Sequence, residues 1–202
     1  MTITLALIAV TCAVSFLGFN SPRVIEKLIL WPPAVKRGEY WRLLSYGLVH
    51  ADIGHLAFNM ITLYFFGRAM EPLFVGLIGQ AGYLGFYLGA LLVSILPTYV
   101  VNRGNPQYRS LGASGAVAAV LFSFILVEPW AMLLVFFVPV PAIVFAVLYT
   151  GYSIYMDRAR KDNVNHSAHL WGAAYGIMFT VLMEPRAAST FVARLLSPGF
   201  GS

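Results

Sequence analysis

The stretch Gly112-Ala113-Ser114-Gly115-Ala116-Val117-Ala118-Ala119-Val120-Leu121-Phe122-Ser123-Phe124-Ile125-Leu126-Val127 decides how this chain is read. It is apolar throughout, and its first half is built of small residues. As a helix its sixteen residues rise about 24 Å, short of the roughly 30 Å of a bilayer's hydrocarbon core. If its far end, beside Glu128-Pro129, lies at one interface, its near end starts several ångströms inside the membrane. The connection before it must then dip into the protein, and irregular backbone is tolerated at that depth only beside protein or a water-filled cavity. Ser114 would sit on the floor of that cavity.

The whole chain has the same character. It is 59% hydrophobic and 10% charged, against about 25% charged in soluble domains. A polytopic membrane protein follows, all-α, folded as one membrane domain over residues 1–202. Six apolar segments are expected to span, at about 2–19, 54–74, 77–101, 112–127, 130–155 and 166–184. The first has no basic residues before it and no convincing cleavage motif, so it is read as a retained span rather than a signal peptide. The fifth, carrying Pro139 and Pro141, is expected to kink. The long first connection, 20–53, holds short amphipathic stretches with Trp31, Tyr40, Trp41 and Arg42, and is expected to fold on the bilayer surface.

The net charge of +5 is scattered over loops without a basic stripe, which excludes a nucleic-acid partner; some of these residues are expected to meet lipid headgroups. The single Cys12 excludes an internal disulfide.

Alternating spans bring the starts of segments two, four and six to one side of the membrane. His50, His55, Ser114 and His169 therefore share one end of the bundle. An ionisable residue in a span is a functional-site hypothesis by default, and a serine hydroxyl becomes a competent nucleophile when a base takes its proton. His169, Gly172 and Gly176 fall at i, i+3 and i+7, one helical face. Packed against the small residues of the fourth segment (Gly112, Ala113, Ser114, Gly115, Ala116, Ala118, Ala119), that helix could bring the imidazole to the hydroxyl. On these residues alone the plainer possibility stays open, that the glycines are packing devices and His169 a satisfied interior histidine. His55 and Asn59, four apart, are candidate oxyanion donors or a polar interfacial cap, with the Ser114 amide as a further donor. Asp52 is expected to cap the second helix. No carboxylate lies in a span near the site, so a pair rather than a triad is expected. Zinc on His50, His55, His166 and His169 is the competing chemistry, but no H-E-x-x-H motif accompanies them. His166 is read as a solvent-side residue of the fifth loop.

Taken together, Trp41-Arg42, His50-x4-His55-x3-Asn59, Gly67-x3-Glu71, Gly112-Ala113-Ser114-Gly115 and His169-x2-Gly172-x3-Gly176 resemble the rhomboid family of intramembrane serine proteases, from about Tyr40 to Gly176. That resemblance implies a six-helix bundle and cleavage of peptide bonds in or near transmembrane helices of other membrane proteins, without a cofactor. It makes Ser114 the nucleophile, His169 the general base and acid, His55 and Asn59 the oxyanion donors, and His50 a supporting residue; Arg42 and Glu71 would be structural. The fifth span and the loop 156–165 would correspond to the family's gate and cap. Many relatives carry an aromatic residue four after the serine, on the histidine; Ala118 stands there, so His169 is expected to be held by another side chain or held less firmly. The implied topology places the active site on the extracytoplasmic side, in a bacterial inner membrane by analogy. Ten of the thirteen Lys and Arg residues then lie on outer loops and three inside, the reverse of the positive-inside rule. Two rivals are a catalytically silent relative that binds transmembrane helices, and a small transporter; the polar residues cluster at one end, without the repeated halves common in transporters.

Overall fold

A computed structural model describes residues 2–197. The chain is almost entirely helical. Helix α1 (Ile3–Asn20) starts at the Thr2 N-cap, whose side chain accepts from the Leu5 amide. Three short helices follow in the long connection: α2 (Pro22–Leu28), α3 (Pro32–Lys36) and α4 (Arg42–Ser45), the last running into a 3₁₀ turn. Proline begins α2 and α3, where a missing N–H costs nothing. The buried Arg42 ties this connection together. Its guanidinium donates to the carbonyls of Glu26 (2.6 Å) and Ile29 (2.8 Å) and pairs with Glu39 (2.7 Å).

Asp52 caps α5 (Ile53–Thr62), accepting from the His55 amide at 2.8 Å. The helix passes through one π-helical turn, Leu63–Gly67, into α6 (Arg68–Asn102). That long element is two helices. Tyr83 donates to the Gly67 carbonyl at 3.3 Å, whereas sixteen residues of straight helix would hold them about 24 Å apart. The reversal is at Gly79, at φ 73° and ψ 172°, a conformation open essentially to glycine alone. Phe74 and Tyr83 stack across the bend. Glu71, just before it, receives the amides of Ile3 (2.6 Å) and Thr4 (3.0 Å), so one carboxylate takes up two of the donors that the α1 terminus leaves unpaired. The Thr4 hydroxyl in turn meets the Tyr83 hydroxyl at 3.0 Å.

By length and composition, Ile3–Asn20 and the continuous Ile53–Asn102 stretch are apolar enough to cross a membrane, and Ser114–Val127 is a shorter apolar helix. This last, α7, is fourteen residues long and almost wholly buried. Helix α9 (His166–Met183) lies against it, and α10 (Arg186–Leu196), which was not expected, follows.

The fifth segment departs from expectation. Residues 130–141 are not helical. A hairpin of β1 (Met132–Val135) and β2 (Val138–Pro141) precedes α8 (Ala142–Ala159), in the register Met132↔Pro141 through Val135↔Val138. Pro139 and Pro141 explain it. Each lacks an N–H and biases the residue before it toward extended backbone, so the helix starts only after the second. No proline lies within α8, and the expected kink is absent.

Gly79→Ala tests the bend. Nothing lies within 4 Å of an added methyl group, so any loss is backbone strain; a destabilisation of about 1–3 kcal/mol is expected, measured by thermal unfolding in detergent.

Candidate active site

Helices α7 and α9 run parallel and touch through backbone. A methyl group at Gly172 would strike the Gly115 carbonyl, and one at Gly176 the Ala119 carbonyl. Ser123 locks the lower part of the contact, its hydroxyl placed between the carbonyls of Ala119 (2.9 Å) and Gly176 (3.0 Å). At the upper end this approach brings Ser114 Oγ to 2.7 Å from His169 Nε2, a short O–H···N distance. Both side chains are half-buried.

Ser114 opens α7, whose first helical hydrogen bond runs from Val117 N–H to Ala113 O. The amides of Ser114, Gly115 and Ala116 thus precede the intrahelical ladder and point from the helix's positive end. The connection leading to them is held strand-like at several points. Ser110 exchanges both backbone bonds with Leu30, and the Gly112 amide donates to Tyr46 O at 2.9 Å. The Ala113 amide donates to His50 Nε2 at 3.3 Å. Gly112 has φ 111°, and a side chain there would meet the His55 ring, so both conformation and space require glycine.

His50 is buried, and its tautomer follows from its partners. Ser15 donates to Leu48 O (2.9 Å), which leaves its oxygen to accept from His50 Nδ1–H (2.9 Å); Nε2 is then free to accept from Ala113. His50 thus links α1 to the backbone immediately before Ser114. Its ring meets that of His55 edge-on at 4.9 Å. The Ala51 amide lies 3.5 Å from His55 Nδ1, leaving Nε2 as the donor turned toward Gly112. Asn59 is buried, and its amide donates to His55 O at 2.9 Å; one of its two amide hydrogens is thereby committed to α5.

Ala118 carries no ring to set on His169. Tyr149 of α8 supplies one instead, stacked on the imidazole at 6.1 Å and 24°. Sequence offered no sign of this, because Tyr149 belongs to a different helix. His166 is also not where it was expected. It is buried at the start of α9, edge-on to both Tyr152 (5.5 Å) and His169 (5.8 Å), with Nε2 3.2 Å from the Asp162 carboxylate. Helix α9 starts at His166, where the sixth segment was expected to begin, because Asn165 caps it. Asn165 Oδ1 accepts from the Ala168 amide (3.0 Å) and from the Thr98 hydroxyl (3.2 Å), while Nδ2 donates to Tyr108 and Ser110. The Asp162 carboxyl is held below its ordinary value, chiefly by its bond to His166. That contact therefore persists through neutral pH and is lost as pH falls past the depressed value. Among the described residues, no group of three or more His, Cys, Asp and Glu is arranged to hold a metal ion.

The molecule is thus a helical protein of membrane-like composition in which a serine and a histidine meet between two parallel helices. A family model for the Rhomboid domain matches residues 37–186. The chain is 36% identical over 168 residues to RHOMBOID-like protein 12, mitochondrial, of Arabidopsis thaliana, covering 77% of this chain and 50% of that protein. It is 29% identical over 185 residues to the putative rhomboid protease YdcA of Bacillus subtilis, covering 84% and 83%. To the rhomboid protease GluP of the same organism it is 28% identical over 164 residues, covering 81% and 30%. The chain therefore spans half of the Arabidopsis relative and under a third of GluP. It belongs to the rhomboid family of integral membrane proteins.

Gly172→Ala forces the two backbones apart where they touch. A loss of about 1–3 kcal/mol is expected, read as a lowered melting temperature. Gly151→Ala, inside α8 where an added methyl group meets nothing within 4 Å, should cause no such loss.

Proposed function

We propose that this chain is an intramembrane serine endopeptidase: a single domain of six spans that cuts peptide bonds in or beside transmembrane helices of other membrane proteins. The observation that carries the reading is the 2.7 Å contact between Ser114 Oγ and His169 Nε2. For the hydroxyl to donate, Nε2 must be the bare nitrogen, with the ring proton on Nδ1. Ser114 Oγ attacks the scissile carbonyl carbon as its proton passes to Nε2. The carbonyl oxygen gains the negative charge. The Ser114 amide, His55 Nε2–H and the uncommitted amide hydrogen of Asn59 are the donors assigned to it. Collapse of this intermediate breaks the C–N bond, and the leaving amine takes the proton from His169. The acyl-enzyme is then opened by water, with His169 first accepting and then returning a proton. Stacking by Tyr149 supports the imidazole, which among the described residues has no carboxylate hydrogen-bonded to it.

The geometry suits buried chemistry. Ser114 begins a helix of fourteen residues, about 21 Å long, so the hydroxyl lies below the level reached by a full span. The site is assigned to the extracytoplasmic side of a bacterial inner membrane, following the family arrangement. No cofactor is required.

Purified protein is to be incubated with a model transmembrane substrate and separately with a fluorophosphonate. Ser114→Ala and His169→Ala should each lower cleavage by about 10³-fold or more, and Ser114→Ala should abolish labelling. Cleavage that survives both substitutions would refute the assignment. His55→Ala and Asn59→Ala are each expected to lower kcat by up to about 10²–10³-fold, with KM changing far less.

A further inference from the structure

The hairpin between α7 and α8 is unlike the rest of the chain. From Trp130 to Pro141 the sequence is Trp-Ala-Met-Leu-Leu-Val-Phe-Phe-Val-Pro-Val-Pro, without one charged residue. One face is used: Leu133 is buried, and it and Val135 join an apolar cluster with Phe122 and Ile125 of α7 and Ala146 of α8. The other face and the tip are bare. Leu134 is 70% exposed, Phe136 82% and Phe137 90%. Phe136 and Phe137 form the two-residue turn, both at positive φ (47° and 68°). Such turns normally take Asn-Gly, so bulky aromatic residues here cost backbone strain and gain nothing from water.

We infer that this hairpin is a lipid-binding foot, seated at the boundary between acyl chains and headgroups of one leaflet, with Phe136 and Phe137 inserted among the acyl chains. Two independent observations choose lipid as the occupant.

The first is the placement of the prolines. The Ala142 amide donates to Ala131 O, so by antiparallel alternation the amides at 140 and 138 face β1, and positions 141 and 139 face outward. Both outward positions are proline. The open edge of β2 therefore presents no N–H donor, the group that is costly to leave unpaired in lipid. Met132 and Leu134 of β1 keep outward donors; these need phosphate, ester or water oxygens, which fixes the depth at the headgroup boundary rather than the bilayer centre.

The second is the polar frame behind the hairpin. Glu128, immediately before it, pairs with Arg194 of α10 at 2.6 Å, and the Trp130 indole donates to Arg194 O at 3.0 Å. A tryptophan beside an ion pair is a composition typical of the membrane interface. On the same short helix Val192 and Leu196, four apart on one face, are exposed, while Arg186 supplies positive charge for anionic headgroups. Because α8 begins where the hairpin ends and carries Tyr149, the foot also sets the height of the helix that stacks on His169. The inference requires membrane embedding and stands whether or not the chain is a protease.

The test places a fluorophore at the tip. In a Cys12→Ala background, Phe137→Cys is labelled with a nitrobenzoxadiazole dye and reconstituted into phosphatidylcholine–phosphatidylglycerol vesicles; Gly104→Cys, in the turn after α6, serves as the aqueous control. Lipids with a nitroxide at acyl carbon 5 should quench the label at 137 several-fold more than aqueous iodide does, with the order reversed at 104. Iodide quenching at 137 equal to that at 104 overturns the inference. So does a label shielded from both quenchers, which would mean that a second copy or another protein covers the tip.

Discussion

The arrangement rests on how closely α7 and α9 approach. In hydrocarbon no hydrophobic effect drives helices together; packing and interhelical hydrogen bonds must do so, and small residues permit both. Gly115, Gly172 and Gly176 let main chain touch main chain, and Ser123 adds a hydroxyl shared between carbonyls of the two helices. Ser114 and His169 stand one and three residues before the upper glycine contact, on its two sides. Their meeting follows from the same register. One added methyl at Gly172 would disturb stability and site geometry together, because both depend on a single distance between helix axes.

That register would be of little use if the loop before Ser114 moved. Three backbone donors ahead of Ser114 are spoken for: Ser110 by Leu30, Gly112 by Tyr46, Ala113 by His50. Irregular backbone carries unpaired polar groups that are costly at membrane depth, so every such bond removes an alternative conformation as well as a penalty. Asn165 closes the circuit. Its side chain caps α9 and also binds the end of α6 and the loop before Ser114. The serine and histidine therefore share a support, and displacement of the loop would propagate to the histidine helix through one amide group.

What could be read from sequence follows from the range of the forces involved. Helical periodicity and length are local, so α1, α7 and α9 lie close to where hydropathy puts them. The i, i+3, i+7 spacing of His169, Gly172 and Gly176 located the packing face for the same reason, and Asp52 capping α5 is a three-residue event. The fifth segment was misjudged because hydropathy does not distinguish an apolar hairpin from an apolar helix. The two prolines were the informative signal, and spacing them one residue apart makes an extended edge rather than a kinked span. Tyr149 stacking on His169, Ser15 holding His50, and burial of His166 each join residues sixteen or more apart in sequence or depend on a neighbouring helix. No local pattern records them.

Among the described residues, no carboxylate is hydrogen-bonded to His169, and this too has a structural reading. The nearby acidic group, Asp162, is engaged with His166 instead, one helical turn from His169 and at the mouth of the site. A carboxylate buried against His169 would need desolvation that a lipid-embedded bundle resists. A stacked phenol ring restrains the imidazole at no such cost, since ring contact asks for area rather than charge. What the ring cannot do is stabilise imidazolium as an anion would. If the pair acts as proposed, more of the developing charge is to be met at the oxyanion, by the helix amides and the donors of α5. Catalysis by the proposed pair would then rest less on base strength than on the seating of the loop, which Leu30, Tyr46 and His50 hold.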